Sequence, residues 1–207
     1  MRDGDRTFYE IIRKESPCRL YFDLEFDKIL NPNADPVRTM TLFRKILLEH
    51  IKILLGIDIV SYYSETNRRN LFVELDATSN SKFSKHVILV LPGETFFRNN
   101  IQMGEFVSVL ITRLSQAEQA LRSSDVNSEY SNVAGIFFFR KRDTDGRIYT
   151  KPFVDMSVYS ENQQFRLVYS AKFAERGQRH FQYILPNNTV MPMNNVTIDR
   201  FCGTLAT

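Results

Sequence analysis

Tryptophan, cysteine and long apolar runs are scarce or missing in this sequence. Its 207 residues include no Trp and two cysteines, Cys18 and Cys202. Two cysteines are too few for a disulfide framework or a zinc site, and they fit a reducing compartment, so no zinc is expected in this chain. No apolar run reaches the roughly 18–20 residues that a membrane-spanning helix needs, so we expect a soluble protein with no membrane partner. The charged residues 1–6 lead into no long apolar stretch, so no secretory signal is expected there.

Charge is unevenly distributed along the chain. The formal net charge is +3, but residues 140–182 contain nine Lys or Arg and five Asp or Glu. A basic stretch with interleaved aromatic residues suits a polyanion such as nucleic acid. On charge alone, a solvated protein surface is the commoner explanation, and both interpretations stay open.

Hydrophobic periodicity predicts a mixed fold. We expect helices over residues 7–14, from Pro36 (with Asp35 as N-cap) to Gly56, and over residues 103–121. We expect strands over residues 18–26, 57–64, 71–75, 85–91, 165–169 and 180–185, a hairpin formed by residues 135–142 and 147–155, and a polar linker over residues 123–132. Several strands around two long helices indicate an α+β fold with a mostly antiparallel mixed sheet flanked by helices.

Two acids in the first predicted long strand are the first chemical signal. Asp23 and Glu25 are two residues apart, so both side chains leave the same face of the strand, with β-carbons about 7 Å apart. Two carboxylates this close repel each other unless a proton or a cation lies between them, and Mg²⁺ or Mn²⁺ would relieve the repulsion. An exposed sheet face that carries ordinary surface charges is the alternative.

Further polar residues fit the same chemistry. Asp155 ends a predicted strand within the sequence F-V-D-M-S-V, where a helix cap is the alternative to a metal ligand. Lys82, Ser84 and His86 alternate as they enter another strand, so a cation, a hydroxyl and an imidazole share one face and could hold a triphosphate. A histidine at a strand end with no function is the alternative for His86. No oxyanion-hole glycine motif lies near Ser84, so a nucleophilic triad is not expected.

Together these segments resemble the archaeo-eukaryotic primase superfamily, and within it the eukaryotic-type primase-polymerases. Three segments carry the resemblance in family order, namely residues 17–26 with the D-x-E motif, residues 82–86 with the S-x-H motif, and residues 153–166. The resemblance implies an RRM-like catalytic module and DNA-directed primase and polymerase activity in replication restart or damage tolerance. It implies a site of two Mn²⁺ or Mg²⁺ ions held by catalytic residues Asp23, Glu25 and Asp155. It implies that the incoming dNTP or NTP is bound by Lys82, Ser84, His86, Arg166 and Lys172.

The resemblance also sets expectations about organisation and partners. Residues 1–207 would form a single catalytic core, as one unit or as two lobes meeting at the active-site cleft, without the family's zinc-binding module. The expected partners are single-stranded or primer-template DNA, with a single-strand-binding protein recruited through segments outside this sequence. The expected compartment is the nucleus, the mitochondrion or both. Gln163 stands where family members often have Arg, so a catalytically degenerate nucleic-acid-binding module is the alternative function. A metal-dependent nuclease would share the carboxylates but leaves Lys82, Ser84 and His86 unexplained.

Overall fold

The computed structural model describes residues 6–62, 71–124, 135–173, 180–185 and 188–207. The strands in this part of the chain are β1 (Tyr9–Ile12), β2 (Leu20–Asp27), β3 (Phe72–Asp76), β4 (Lys82–Leu89), β5 (Phe138–Arg142), β6 (Ile148–Pro152), β7 (Gln163–Arg166) and β8 (Gln182–Ile184). The α-helices are α1 (Pro36–Leu55), α2 (Ile59–Tyr62), α3 (Asn100–Ser124) and α4 (Ile198–Gly203). No helix among the described residues is both long and apolar enough to cross a membrane.

The strands form three sheets whose named pairs are all antiparallel. The largest sheet has four strands in the order β2-β4-β3-β8, and two-stranded sheets are formed by β1 with β7 and by β5 with β6. Antiparallel sheets flanked by helices confirm the predicted α+β class, and this architecture is compatible with a primase core.

Alternation in β2 separates an apolar face of the large sheet from a polar one. Phe22 is fully buried and packs edge-on against Phe43 of α1, with ring centroids 5.2 Å apart. Asp23 and Glu25 leave the opposite face and remain partly exposed. Burying one face of the sheet against α1 therefore fixes which way the acids point.

The two ends of α1 are set by the residues that the sequence indicated. The Asp35 side chain accepts hydrogen bonds of 3.0 Å from the backbone amides of Val37 and Arg38, which satisfies two amides that the first helical turn cannot pair. Gly56 ends the helix in the left-handed conformation, with φ of 68°, which a residue without a β-carbon adopts at low cost.

The long helix α3 begins three residues before the predicted start and packs closely on the segment that follows β6. A β-carbon placed on Gly104 would lie 2.9 Å from the β-carbon of Tyr159. This close approach requires glycine, and it brings α3 against the short 3₁₀ helix Met156–Tyr159 that follows Asp155.

Two of the predicted elements are wrong. Residues 7–14 were expected to be helical, but residues Tyr9–Ile12 form β1, because their backbone pairs with β7, more than 150 residues away. Residues 57–64 were expected to form a strand, but Ile59–Tyr62 form the short helix α2, and residues 63–64 lie outside the described residues.

Other boundaries shift by a few residues. Residues 123–124 of the predicted linker continue α3, and residues 125–132 lie outside the described residues. The strand expected over residues 165–169 is β7, Gln163–Arg166, and it is followed by a turn. Leu54, in the last turn of α1, has the spacing of the buried stripe of that helix but is 46% exposed. Cys18 is buried, Cys202 is exposed, and both are free thiols.

Candidate metal and nucleotide site

The pairing register of β2 with β4 brings two sequence motifs face to face. Asp23 lies opposite His86 and Glu25 lies opposite Ser84 in the antiparallel ladder, and Asp27 lies opposite Lys82. Since directly opposed residues project from the same face of a sheet, the acids of the first motif and the polar residues of the second share one surface. The sequence predicted each alternation separately, but not this register.

Asp155 reaches the same surface because the chain after β6 runs along the other edge of β2. The Asp155 amide donates a 2.8 Å hydrogen bond to the Asp23 carbonyl, and the Glu25 amide donates a 2.7 Å bond to the Phe153 carbonyl. Leu24 and Val154 form the antiparallel bridge between these bonds. The third acid, 130 residues beyond Glu25, is therefore held by backbone contacts.

The three carboxylates are close enough to share a cation. One oxygen from each of Asp23, Glu25 and Asp155 lies within 4.8 Å of the others. The Oδ1 atom of Asp23 is buried and has no hydrogen-bond partner, which is costly for a carboxylate unless a cation is bound. Carboxylate oxygens are the ligands that hard divalent cations prefer. The cluster therefore fits a divalent metal site, while the catalytic role of each acid stays a prediction.

Three lysines surround Glu25. Lys82 forms an ion pair with one of its oxygens, and the ammonium groups of Lys151 and Lys141 lie 3.4 Å and 3.8 Å from the other. Burial by itself raises the pKa of Glu25, but the hydrogen bond and charge of Lys82, together with Lys151 and Lys141, hold that pKa at about 2. Glu25 is therefore ionised throughout the physiological pH range.

Lys141 and Lys151 are site residues that the sequence did not assign. They lie on β5 and β6, and sequence reasoning placed them only within a generally basic stretch. Burial and the neighbouring Lys151 ammonium lower the pKa of Lys141. The signal that could have identified them is the predicted hairpin itself, because a hairpin leading directly into Asp155 must lie beside the acids that Asp155 joins.

His86 is almost completely buried beneath aromatic rings. Its ring stacks on Phe165 with centroids 3.9 Å apart and lies 3.8 Å from the Phe181 centroid. Its Nε2 atom lies 3.7 Å from Asp23 Oδ2. Burial lowers the pKa of His86 although Asp23 opposes the shift, so the imidazole is neutral at pH 7 and offers one N–H donor.

The other residues predicted to bind a nucleotide differ in burial and in their distance from the acids. Ser84 is buried within β4. The Arg166 guanidinium lies 4.4 Å from the centroid of Phe181, the ring that also contacts His86, so it belongs to this end of the cluster. Lys172 is exposed, and within the described residues no ion pair joins it to the three acids.

Two buried tyrosines that the sequence did not single out form hydrogen bonds between β2 and the segment that follows the third acid. The Tyr21 hydroxyl donates a 2.8 Å hydrogen bond to the Val158 carbonyl, and the Tyr159 hydroxyl donates a 3.0 Å bond to the Tyr21 carbonyl. The Asp155 carboxylate in turn accepts a 3.0 Å bond from the Ser157 amide. These bonds position the short 3₁₀ helix after Asp155 and restrict the movement of that carboxylate.

Comparisons with known proteins give a consistent result. The DNA-directed primase/polymerase protein of Bos taurus is 26% identical over an alignment that covers 81% of this chain and 36% of the bovine protein. The Danio rerio protein of that name is 27% identical, with 81% of this chain and 32% of the relative covered. The Homo sapiens protein is 32% identical over 58% of this chain and 19% of the human protein.

The chain spans about a third of the length of the bovine and zebrafish relatives, and no family model matches it. The aligned part nonetheless covers most of this chain. The chain is therefore a relative of the DNA-directed primase/polymerase proteins and has a PrimPol-like core.

Proposed function

We propose that this chain is the catalytic core of a DNA-directed primase-polymerase. The reaction is the transfer of a nucleotide from a dNTP or NTP to a primer 3′-hydroxyl on a DNA template. The observation that carries the proposal is the meeting of Asp23, Glu25 and Asp155 within 4.8 Å of one another, on a surface that also presents lysines and a buried histidine. The printed names of the relatives support the same reaction.

Asp23, Glu25 and Asp155 would hold two Mn²⁺ or Mg²⁺ ions. Such ions, when bound, favour the ionised form of the attacking hydroxyl and neutralise charge on the pyrophosphate leaving group. The acids occupy three positions on one rigid scaffold, two on β2 and one bonded along its edge. The orientation of the carboxylates is therefore set before substrate arrives, which lowers the cost of ordering them during the reaction.

The surrounding polar residues would bind and orient phosphate. His86 is neutral, so its one N–H donates to a phosphate oxygen without adding charge, while Ser84 lies beside it on β4. The Arg166 guanidinium, fixed against Phe181, supplies charge at the same end of the cluster. Lys172 would join it at the triphosphate, and Lys82 supplies charge beside Glu25.

The cellular setting belongs to the proposal as well. Replication restart or damage tolerance, recruitment by a single-strand-binding protein, and a nuclear or mitochondrial location are taken from the family resemblance. Each concerns a whole protein rather than this core. The bovine and zebrafish relatives are about three times as long as the part of them that aligns with this chain.

Primer extension tests the proposed reaction. The chain is mixed with an annealed, labelled primer-template, nucleotides and Mn²⁺ or Mg²⁺, beside the variants Asp23→Asn and Asp155→Asn. Asp58→Asn is the matched control, because Asp58 is an acid that pairs with Lys52 on the surface. We expect extension by the wild type and the control, and a loss of at least about 100-fold in both site variants.

A second measurement separates loss of catalysis from loss of metal. Binding of Mn²⁺ is followed by electron paramagnetic resonance on the same proteins. Wild-type protein that binds Mn²⁺ and primer-template but never extends the primer would instead be a degenerate binding module, and the proposed reaction would be abandoned.

A further inference from the structure

The β5–β6 hairpin is a strongly basic and largely exposed element of the described part of the chain. Residues 138–152 carry five basic and two acidic side chains, a net charge of +3 that equals the charge of the whole chain. Both acids lie in the turn, where the Asp143 carboxylate accepts a 2.7 Å hydrogen bond from the Arg147 amide. The two strands themselves therefore present only positive charge.

An exposed aromatic side chain lies among these cations. Tyr149 is 44% exposed and is the cross-strand partner of Lys141, while Lys151 lies two residues further along β6. Cross-strand partners and alternate residues of a strand share one face. Tyr149, Lys141 and Lys151 therefore lie on the same face of the hairpin. This face is turned toward Glu25, because the ammonium groups of both lysines lie close to its carboxylate.

A cleft connects this face with the acidic cluster. It encloses about 340 Å³ beside Glu25. The basic residues that line it are Lys82, Arg140, Lys141, Arg142 and Lys151. Five cations around one cleft exceed what two neighbouring carboxylates, those of Glu25 and Asp27, can neutralise, so the cleft favours a polyanion.

The cleft lies at the Lys82 end of the cluster, away from His86 and Arg166, two of the residues expected to hold the nucleotide. Lys82 and His86 are four residues apart on β4, a span of about 13 Å in a strand. Arg166 and Phe181 lie at the His86 end, whereas the hairpin lies at the Lys82 end. Two phosphate-bearing substrates can thus approach the acids from two sides.

We propose that the β5–β6 hairpin and its cleft bind a single strand of DNA, with Tyr149 stacking on a base while Lys141 and Lys151 contact neighbouring phosphates. Alternation of cations with an exposed aromatic ring is the arrangement that binds single strands without reading their sequence. In the absence of DNA, Lys141 and Lys151 pair with Glu25 instead. This inference rests on the proposed function, which identifies the bound strand as primer or template.

The test measures DNA binding apart from catalysis. Fluorescence anisotropy of a labelled oligothymidylate is recorded with the 207-residue chain in EDTA, without nucleotide, at several salt concentrations. We expect Tyr149→Ala to weaken binding at least about fivefold, since one stacked base contributes about 1–3 kcal/mol. Tyr149→Phe keeps the ring and should bind like the wild type.

The contribution of the lysine charges to DNA binding is tested with the same anisotropy measurement. Lys141→Ala should weaken binding and reduce the slope of log K against log salt by about 0.7, the value for one phosphate contact on a single strand. Lys45→Ala is the matched control, because it removes the same charge from an exposed position on α1 and should leave the slope unchanged. Melting temperatures of all four variants check that they are folded.

Two results would overturn the hairpin proposal. One is binding of the oligonucleotide by Tyr149→Ala and Lys141→Ala as tightly as by the wild type. The other is an effect of Lys141→Ala on the affinity for a nonhydrolysable dNTP but not for the oligonucleotide, which would make the cleft a nucleotide pocket. Failure of the wild type to bind Mn²⁺ would count against the proposed reaction alone, since the anisotropy is measured without metal.

Discussion

The Tyr159 hydroxyl donates a 3.0 Å hydrogen bond to the backbone carbonyl of Tyr21, and the Tyr21 hydroxyl returns a 2.8 Å bond to the carbonyl of Val158. This reciprocal pair is buried, with ring centroids 5.5 Å apart. It joins β2, which carries two of the three acids, to the segment that begins at the third. The geometry of the acidic cluster therefore depends on residues that have no charge.

Removal of either hydroxyl should cost stability. Tyr21→Phe and Tyr159→Phe each leave a buried carbonyl without its donor, so we expect each to lose about 1–2 kcal/mol of unfolding free energy, or roughly 2–8 °C in melting temperature for a chain of this size. Denaturant unfolding measures the loss. Tyr149→Phe, at an exposed position, serves as control. Equal stability of all three variants would show that water replaces these bonds.

Asp23→Asn should instead increase the stability of the metal-free protein. The Oδ1 atom of Asp23 is buried without a partner and close to two other carboxylates, so the metal-free site is under electrostatic repulsion. We expect the variant to gain up to about 1 kcal/mol in EDTA and to lose Mn²⁺ binding. Thermal unfolding with and without Mn²⁺ checks both effects. A loss of several kcal/mol in EDTA would instead identify Asp23 as a structural residue.

A buried acid outside the site should make a large contribution to stability. Glu118 on α3 accepts hydrogen bonds of 2.8 Å and 3.2 Å from the amides of Phe137 and Phe138, and its other oxygen binds Arg122. Glu118→Ala leaves these amides without an acceptor, so we expect a loss of about 2–3 kcal/mol in urea unfolding. Glu118→Gln keeps one acceptor and should lose less. Glu105→Ala, exposed on the same helix, should change stability little, since alanine is the better helix former, and an equal loss there would show that the buried hydrogen bonds are not the cause.

Stability should fall in mild acid because of His50. Its Nε2 atom lies 3.1 Å from the Phe106 carbonyl in a buried position. Burial, followed by the nearby charge of Arg113, lowers the pKa of His50 below the ordinary 6.5. The unfolded chain then binds the proton more readily than the folded one, so stability is complete above about pH 6.5 and decreases as the pH falls below it.

The variant His50→Gln tests this pH dependence. Its unfolding free energy, measured in urea between about pH 7.5 and 5.5, should decrease less on acidification than that of the wild type. Part of the decrease should remain, because burial also lowers the pKa of His86. Identical slopes in the two proteins would exclude His50 as a contributor.

The sequence predicted those features whose cause is local. Asp35 and Gly56 set the ends of α1 through their own side chains and backbone. The spacing of Asp23 and Glu25 alone determines that they share a face. β1 could not be predicted, since Tyr9–Ile12 are extended only because they pair with β7. The contact of Lys141 and Lys151 with Glu25 depends on a hairpin docking against a strand more than 110 residues away. The hairpin pattern indicates that docking only once Asp155 is taken to join the other two acids.

Extension of a primer and initiation of a new strand make different demands on the site. Extension needs one free nucleotide, because a base-paired primer already holds the attacking hydroxyl in place. Initiation must immobilise two nucleotides on the template, and each loses translational and rotational freedom on binding. The residues proposed to bind a triphosphate beside the acids, His86 and Arg166, lie together at one end of the acidic cluster, which suits one nucleotide. We therefore expect the 207-residue chain, supplied with Mn²⁺, to form at least about ten times more product on a primed template than on an unprimed oligothymidylate. Gel analysis of both reactions at equal template concentration provides the measurement, and comparable product on the two templates would show that the cluster holds two nucleotides without help from a primer.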